Sequence, residues 1–209
     1  MNNTGFFIAP KGLSQEYPSH VQWSGANRML SAPECTHIIE QAETAGWRAG
    51  TIGSATSNRE DPGYRRVDVC SATYSKQTEW LYERLSQKVP AANEQYFGFD
   101  VVGLMEEVQI LRYTAPEVAG EPAGHYDWHQ DFGSGYMGRR KLSVVVQLSD
   151  GADYEGCELT LMTHKMETMR YRGAGEGVIF PSWTPHCVSN ITRGTRYALV
   201  AWVHGSPFR

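Results

Sequence analysis

From Phe97 onward the chain reads FGFDVVGLMEEVQILRY (97–113), then KLSVVVQLS (141–149), CELTLM (157–162), GVIFPS (177–182) and RYALVAWV (196–203). These are short apolar or alternating runs, rich in β-branched residues and broken by Gly, Asp and Pro, which is the texture of strands joined by turns. Upstream the pattern changes. Ser31-Ala32-Pro33-Glu34 fits a capping box with proline in the first turn, and Ile38, Ile39 and Ala42 mark one face before Gly46, so a helix is expected over about 32–45. Trp80, Leu81, Leu85 and Val89 recur at helical spacing and predict a second helix ending near Pro90. Residues 48–64, RAGTIGSATSNREDPGY, read as a mobile loop, and Phe6, Phe7 and Ile8 as a short edge strand. Two helices followed by many short strands imply a mainly β fold, a sandwich or barrel with flanking α-helices on one outer side.

At 209 residues and 41% hydrophobic, the chain supports one well-buried core, and a single domain is expected over 1–209, with 1–97 as helical and loop support and 98–209 as the core. The net charge of -4 and the lack of a polybasic run argue against nucleic acid or an anionic membrane as partner. Cys35, Cys70, Cys157 and Cys187 have no zinc-ribbon spacing and are too sparse for a disulfide scaffold, so they read as reduced thiols in a cytoplasmic protein. The first residues, MNNTGFFIAPKGLSQ, lack the basic and apolar regions of a signal peptide, and there is no run of about 20 apolar residues. Oligomeric state is not legible.

Between the first and second strand runs lies His125-Tyr126-Asp127-Trp128-His129-Gln130-Asp131. On a regular strand His125, Asp127, His129 and Asp131 share one face, giving two overlapping His-x-Asp pairs. Two His and one carboxylate on one side of a metal leave coordination positions open, the arrangement of non-haem Fe(II) oxygenases. His186, after the strand and turn GVIFPSWTP, is the candidate third ligand. Ten residues further on stands Arg196, at the head of an apolar strand. A guanidinium pointing into a core needs a carboxylate for its planar fork, and no acidic residue lies between His186 and the C-terminus. A small dicarboxylate ligand would supply it.

The pieces QILRY (109–113), YDWHQD (126–131), LSVVVQLSD (142–150), YEGCEL (154–159), GEGVIFPSWTPHCV (175–188) and TRGTRYALVAWV (192–203) resemble, in order, the 2-oxoglutarate and Fe(II)-dependent dioxygenases, specifically the prolyl 4-hydroxylase-like branch. The resemblance covers nearly half the chain. It implies a cupin-like double-stranded β-helix, or jelly roll. It also implies His129, Asp131 and His186 as iron ligands, because the family's aromatic residue three before the proximal His is matched by Tyr126, and its Arg-x-Leu-Ser element by residues 140–143. Arg196 would bind the distal carboxylate of 2-oxoglutarate, and Tyr113 would give the same cosubstrate a hydroxyl contact. His125 and Asp127 become neighbours on the same face. The implied cofactors are Fe(II), 2-oxoglutarate and O2, with ascorbate as an accessory reductant.

By the same resemblance the reaction hydroxylates an unactivated C–H bond and releases succinate and CO2. The carboxylate of Asp131, which related halogenases replace by a small residue, favours hydroxylation. A peptidyl proline is the expected substrate, with a free amino acid or other small metabolite as the alternative. Residues 48–64, Arg65 and Arg66, and the insert TAPEVAGEPAG (114–124) are expected as walls of the entrance, and Trp128, Trp183 and Trp202 as pocket lining. Two readings from other classes stand beside this one: a jelly-roll metal- or ligand-binding protein without turnover, and a zinc hydrolase on the same ligands. His20, His37, His164 and His204 read as surface or structural. The family's Gly-Gly is replaced by Gly156-Cys157, a departure expected to matter little to chemistry. The long interval between Tyr113 and His129 weakens the assignment of Tyr113 more than that of the ligands.

Overall fold

The computed structural model describes residues 23–26, 28–54, 57–118 and 120–207, so the edge strand expected at Phe6–Ile8 and the reading of His20 lie outside the described residues. Helix α1 spans Ala32–Ala45. Ser31 caps it as the sequence indicates: its side chain accepts from the Glu34 backbone N–H while the Glu34 carboxylate accepts from the Ser31 N–H, so two otherwise unpaired donors are satisfied. Helix α2 spans Glu79–Ala92 and continues as a π-helical turn through Asn93–Phe97. The α-helix thus ends two residues past Pro90, near the expected place, and the π-helical turn follows it. Leu81, Leu85 and Val89 keep one face buried through that position, and the turn closes at Gly98 with φ 66°.

The strands form two main sheets. The larger is built around the fifteen-residue strand Ile191–Gly205, which pairs antiparallel with Arg140–Gln147 on one side and Val108–Thr114 on the other. Gly177–Pro181 extends it beyond Arg140–Gln147, and Asp68–Ala72 beyond Val108–Thr114. The smaller sheet runs Met166–Thr168, Leu159–Met162, His186–Val188, His125–His129 and Arg65–Arg66. This is the jelly-roll arrangement. Residues before 98 are built into both sheets, through Arg65–Arg66 in the smaller and Asp68–Ala72 in the larger. The stretch 48–64 departs from the expected loop, since Ile52–Ser54 and Ser57–Arg59 pair as a hairpin.

Period-two alternation explains how one sheet serves two cores. Val108, Ile110, Leu142, Val144, Val146, Leu199, Ala201 and Val203 face α1 and α2 and pack with Ile38, Ala42, Leu81 and Leu85. Their neighbours Leu111, Tyr113, Val145, Val200 and Trp202 face inward, against Leu161, Phe180 and Val188. Every residue of Arg140–Gln147 is buried, because both faces of that strand are covered. Each such aliphatic side chain contributes roughly 1.5–3 kcal/mol on burial. The inward face can thus hold polar groups only where they find partners, and Ser143, Gln147 and Arg196 are those groups. Among the described residues no helix is long and apolar enough to cross a membrane.

Candidate metal centre

His129 ends its strand and pairs in register with His186, the first residue of the neighbouring strand. The pairing then slips: His186 faces His129, yet Val188 faces Tyr126, so the four residues 126–129 span only three of the other strand, 186–188. This is a β-bulge at Asp127 and Trp128. It overturns the simple alternation expected for 125–131. Tyr126 and His129, three apart, lie on one face with their rings stacked, centroids 3.5 Å apart and 13° between planes.

The bulge separates the two His-x-Asp pairs. Among the described residues, His129, Asp131 and His186 form the one group of three or more His, Cys, Asp or Glu side chains whose ligand atoms lie within 4.8 Å of one another. His129 Nε2 is 4.0 Å from Asp131 Oδ1, and His186 Nε2 is 3.6 Å from Asp131 Oδ2. His125 and Asp127 are not in this group, contrary to the shared face expected for them. His125 contacts the backbone carbonyls of Ala123 and Gly63, and Asp127 accepts from the Trp128 N–H.

The donor set fits a cation. Nδ1 of His129 meets the Asp127 carbonyl at 2.7 Å and Nδ1 of His186 meets the Thr184 carbonyl at 2.9 Å. A carbonyl can only accept, so each Nδ1 carries a proton, which leaves Nε2 as the atom that can ligate a metal. Burial, reinforced by the facing His186, pushes the His129 imidazole well below its ordinary pKa and keeps it neutral. For Asp131, burial opposes ionisation but is outweighed by His186, His129, Arg140 and a hydrogen bond from Ser143, so its pKa falls. A neutral His129 imidazole and an ionised Asp131 carboxylate are the forms in which these groups bind a metal.

Ser143, from the inward face of Arg140–Gln147, donates to Asp131 Oδ2 at 2.6 Å. The Asp131 backbone is held as well: its N–H donates to Ser182 O and its carbonyl accepts from Arg140 Nη1, both at 3.0 Å. Arg140 in turn forms a forked pair with Glu106, lies 3.8 Å over the Trp202 ring, and shares Glu106 with His204. The sequence motif at 140–143 contains both Arg140 and Ser143 without giving either a role, and Glu106 carries no sequence signal. A buried Arg and Glu 34 positions apart leave no local signal of pairing.

A narrow recess of about 40 Å³ runs inward from His129, Asp131 and His186 to Tyr113 and Arg196. Arg196 and Tyr113 are cross-strand partners and are 2% and 1% exposed. The Arg196 guanidinium carbon is 5.4 Å from the Tyr113 ring, Nε donates to the side-chain carbonyl of Gln147 at 2.9 Å, and Nη1 is 3.9 Å from the Cys157 sulfur. Among the described residues it has no carboxylate. Desolvation drives the Tyr113 hydroxyl well above its ordinary pKa, so it is neutral and a potential donor. Cys157, in the left-handed region with φ 52° beside Gly156 at φ 70°, accepts from Arg196 Nη1 through its sulfur. Of the three tryptophans expected to line the pocket, Trp202 lines the recess, whereas Trp183 packs against Phe99 and neither it nor Trp128 lines the recess or the cavity outside it.

Comparison with known proteins places this geometry in context. Residues 108–204 match the family model of the 2OG-Fe(II) oxygenase superfamily. The PKHD-type hydroxylase YbiX of Shigella flexneri is 30% identical over 183 residues, covering 84% of this chain and 75% of that protein. A PKHD-type hydroxylase of Synechococcus sp. (strain CC9605) is 40% identical over 107 residues, covering 51% of this chain but 45%, less than half, of that relative. Among solved structures, a prolyl hydroxylase from Trichoplax adhaerens, in complex with a hypoxia inducible factor oxygen degradation domain peptide fragment, superposes with a TM-score of 0.69 at 17% identity, over 88% of this chain and 83% of that one.

Proposed function

The chain belongs to the 2OG-Fe(II) oxygenase superfamily, whose members use Fe(II), 2-oxoglutarate and O2, and on that premise we propose that it hydroxylates an unactivated C–H bond of a peptidyl proline. When bound, Fe(II) supplies the reductive activation of O2, one oxygen atom passing to the substrate and the other to 2-oxoglutarate as it decarboxylates to succinate.

His129 and His186 would hold the metal through Nε2, each oriented by a carbonyl on Nδ1, and Asp131 would complete the set with its second oxygen held by Ser143. Arg196 would take the distal carboxylate of the cosubstrate, with Tyr113 as hydroxyl donor at the same end. The closed, largely apolar wall of Val145, Val188, Ala198, Val200 and Trp202 would keep water from that end of the site.

The observation that carries this reading is Arg196. A fully buried guanidinium meeting only an amide oxygen, a thiol and a ring face is costly unless an anion joins it, and its recess opens at the three ligands. A binding module with a structural metal has no use for that charge, nor has a zinc hydrolase. Support for a peptide comes from the Trichoplax enzyme, which holds one, and from the cavity of about 630 Å³ outside the ligands, roomy enough for an extended segment. The test is anaerobic titration with Fe(II) and then 2-oxoglutarate, followed by a succinate screen of prolyl peptides beside free amino acids. A visible charge-transfer band and peptide-dependent succinate are expected. Absence of both overturns the oxygenase reading, and succinate from free amino acids alone overturns the peptide.

A further inference from the structure

The outer cavity carries more positive charge than its walls neutralise. Four arginines line it, Arg48, Arg59, Arg65 and Arg140, against three carboxylates, Asp61, Glu106 and Asp131. Arg59 is paired with Asp61 at 3.1 Å, Arg140 with Glu106, and Asp131 belongs to the metal. Arg48 and Arg65 remain, and among the described residues neither has a carboxylate partner. Arg48 is exposed and contacts Ser71.

Arg65 is half-buried and fixed. Its strand pairs with the metal strand, residue for residue with Tyr126. The guanidinium carbon lies 4.5 Å from the centroid of the Tyr126 ring, which is itself stacked on His129. One Nη donates to the Thr51 carbonyl at 2.6 Å, and Nε is buried without a hydrogen-bond partner. A guanidinium has five N–H donors in a rigid fork, and here one is used. The cation is therefore held one ring away from a metal ligand with most of its donors unspent, in a space it shares with both the outer cavity and the inner recess.

The cosubstrate does not account for it. Under the reading above, one carboxylate of 2-oxoglutarate lies on Arg196 and the other chelates the metal, so both its charges are matched. We propose that Arg65 binds a carboxylate carried by the substrate, placing the substrate's acidic group beside Tyr126 and the C–H bond to be hydroxylated over the metal. The inference rests on the oxygenase assignment and narrows its substrate to molecules acidic near the reacting carbon: a free amino acid, a peptide C-terminus, or a proline flanked by an acidic residue. The bidentate fit of guanidinium to carboxylate makes the demand geometric as well as electrostatic.

The test uses the full chain loaded with Zn(II) and 2-oxoglutarate, so that nothing turns over, and reads binding by ligand-observed NMR. The probes are the free amino acids and the acetyl-prolyl dipeptides, each as acid and as C-terminal amide, with acetyl-Pro-Asp-amide beside acetyl-Pro-Asn-amide. The expected result is at least one pair in which the acid binds tenfold or more tighter than its neutral partner, and the pair identifies the source of the carboxylate. Arg65→Gln erases the preference, Arg65→Lys keeps part of it, and 2-oxoglutarate binding stays within threefold in both. Equal binding of acids and neutral partners overturns the proposal, as does failure of every probe to bind. A tenfold loss of 2-oxoglutarate binding in Arg65→Gln also overturns it, since Arg65 would then serve the cosubstrate. Failure of the wild-type chain to bind 2-oxoglutarate instead overturns the oxygenase reading beneath it.

Discussion

Ser143 donates its hydroxyl to Asp131 Oδ2 at 2.6 Å, fixing the only carboxylate of the metal-ligand group from behind. The serine is fully buried, so water cannot replace it. A hydrogen bond to a charged acceptor is worth about 1.5–3 kcal/mol. Ser143→Ala is expected to weaken metal affinity by about 10- to 100-fold, the usual effect of losing an outer-shell partner. Anaerobic titration with Fe(II), or with Mn(II) as a redox-stable substitute, measures this. Unchanged affinity would show that Asp131 does not depend on Ser143.

The two His-x-Asp pairs give a sharper comparison. Asp131→Ala removes a ligand and is expected to abolish metal-dependent turnover, whereas Asp127→Ala leaves metal binding measurable, because the Asp127 side chain turns back to the Trp128 N–H. The reverse outcome would mean that the wrong pair has been assigned.

How far the site could be read from sequence depends on the range of each interaction. The capping box at Ser31, the helix over 32–45 and the strand runs after Phe97 are local patterns, and each stands where its residues put it. Arg196 was legible because an arginine heading an apolar strand contradicts its surroundings. The bulge at Asp127 and Trp128 was not. Whether a strand keeps its alternation is decided by the strand beside it, here His186–Val188, nearly sixty residues later. The π-helical turn over Asn93–Phe97, just past Pro90, had no local signal either. The Glu106–Arg140–His204 cluster exists only once three separate strand ends meet.

For the cosubstrate end, Arg196→Met keeps much of the buried volume and removes the charge. Truncating one partner of a buried charge pair costs about 2–5 kcal/mol of binding. The Kd for 2-oxoglutarate, measured anaerobically on the metal-loaded protein, is expected to rise by at least about 30-fold, with metal affinity little changed. An unaltered Kd would remove Arg196 from the role proposed for it.

Cysteine reactivity should follow burial. Burial pushes the Cys35 thiol up to about 11, and it raises Cys70 and Cys157 as well. Cys187 is raised too, but it is only half-buried. With iodoacetamide at neutral pH and native conditions, Cys187 is expected to label first and slowly, the other three only on unfolding, as peptide mass mapping would show. Early labelling of Cys35 would contradict the packing of α1 on the large sheet.

Glu106 supplies a pH-dependent part of stability. Although burial opposes its charge, hydrogen bonds and attraction from Arg140 and His204 lower its pKa below the ordinary 4.5. A carboxylate with a depressed folded pKa binds fewer protons folded than unfolded, so its contribution is fully present above about 4.5 and disappears as pH falls through the lowered value. Glu106→Gln leaves Arg140 buried without its forked partner, at a cost of about 3 kcal/mol, or roughly 10 °C in Tm for a chain of this length. The Tm gap between wild type and variant should therefore be wide at pH 7 and shrink as pH falls from about 4.5 through the lowered value. Because Arg140 also holds the Asp131 carbonyl, the variant is expected to lose metal affinity at pH 7 along with stability. A gap that stays undiminished as acid is added until the wild type itself unfolds would show that the loss is one of packing and not of the ion pair.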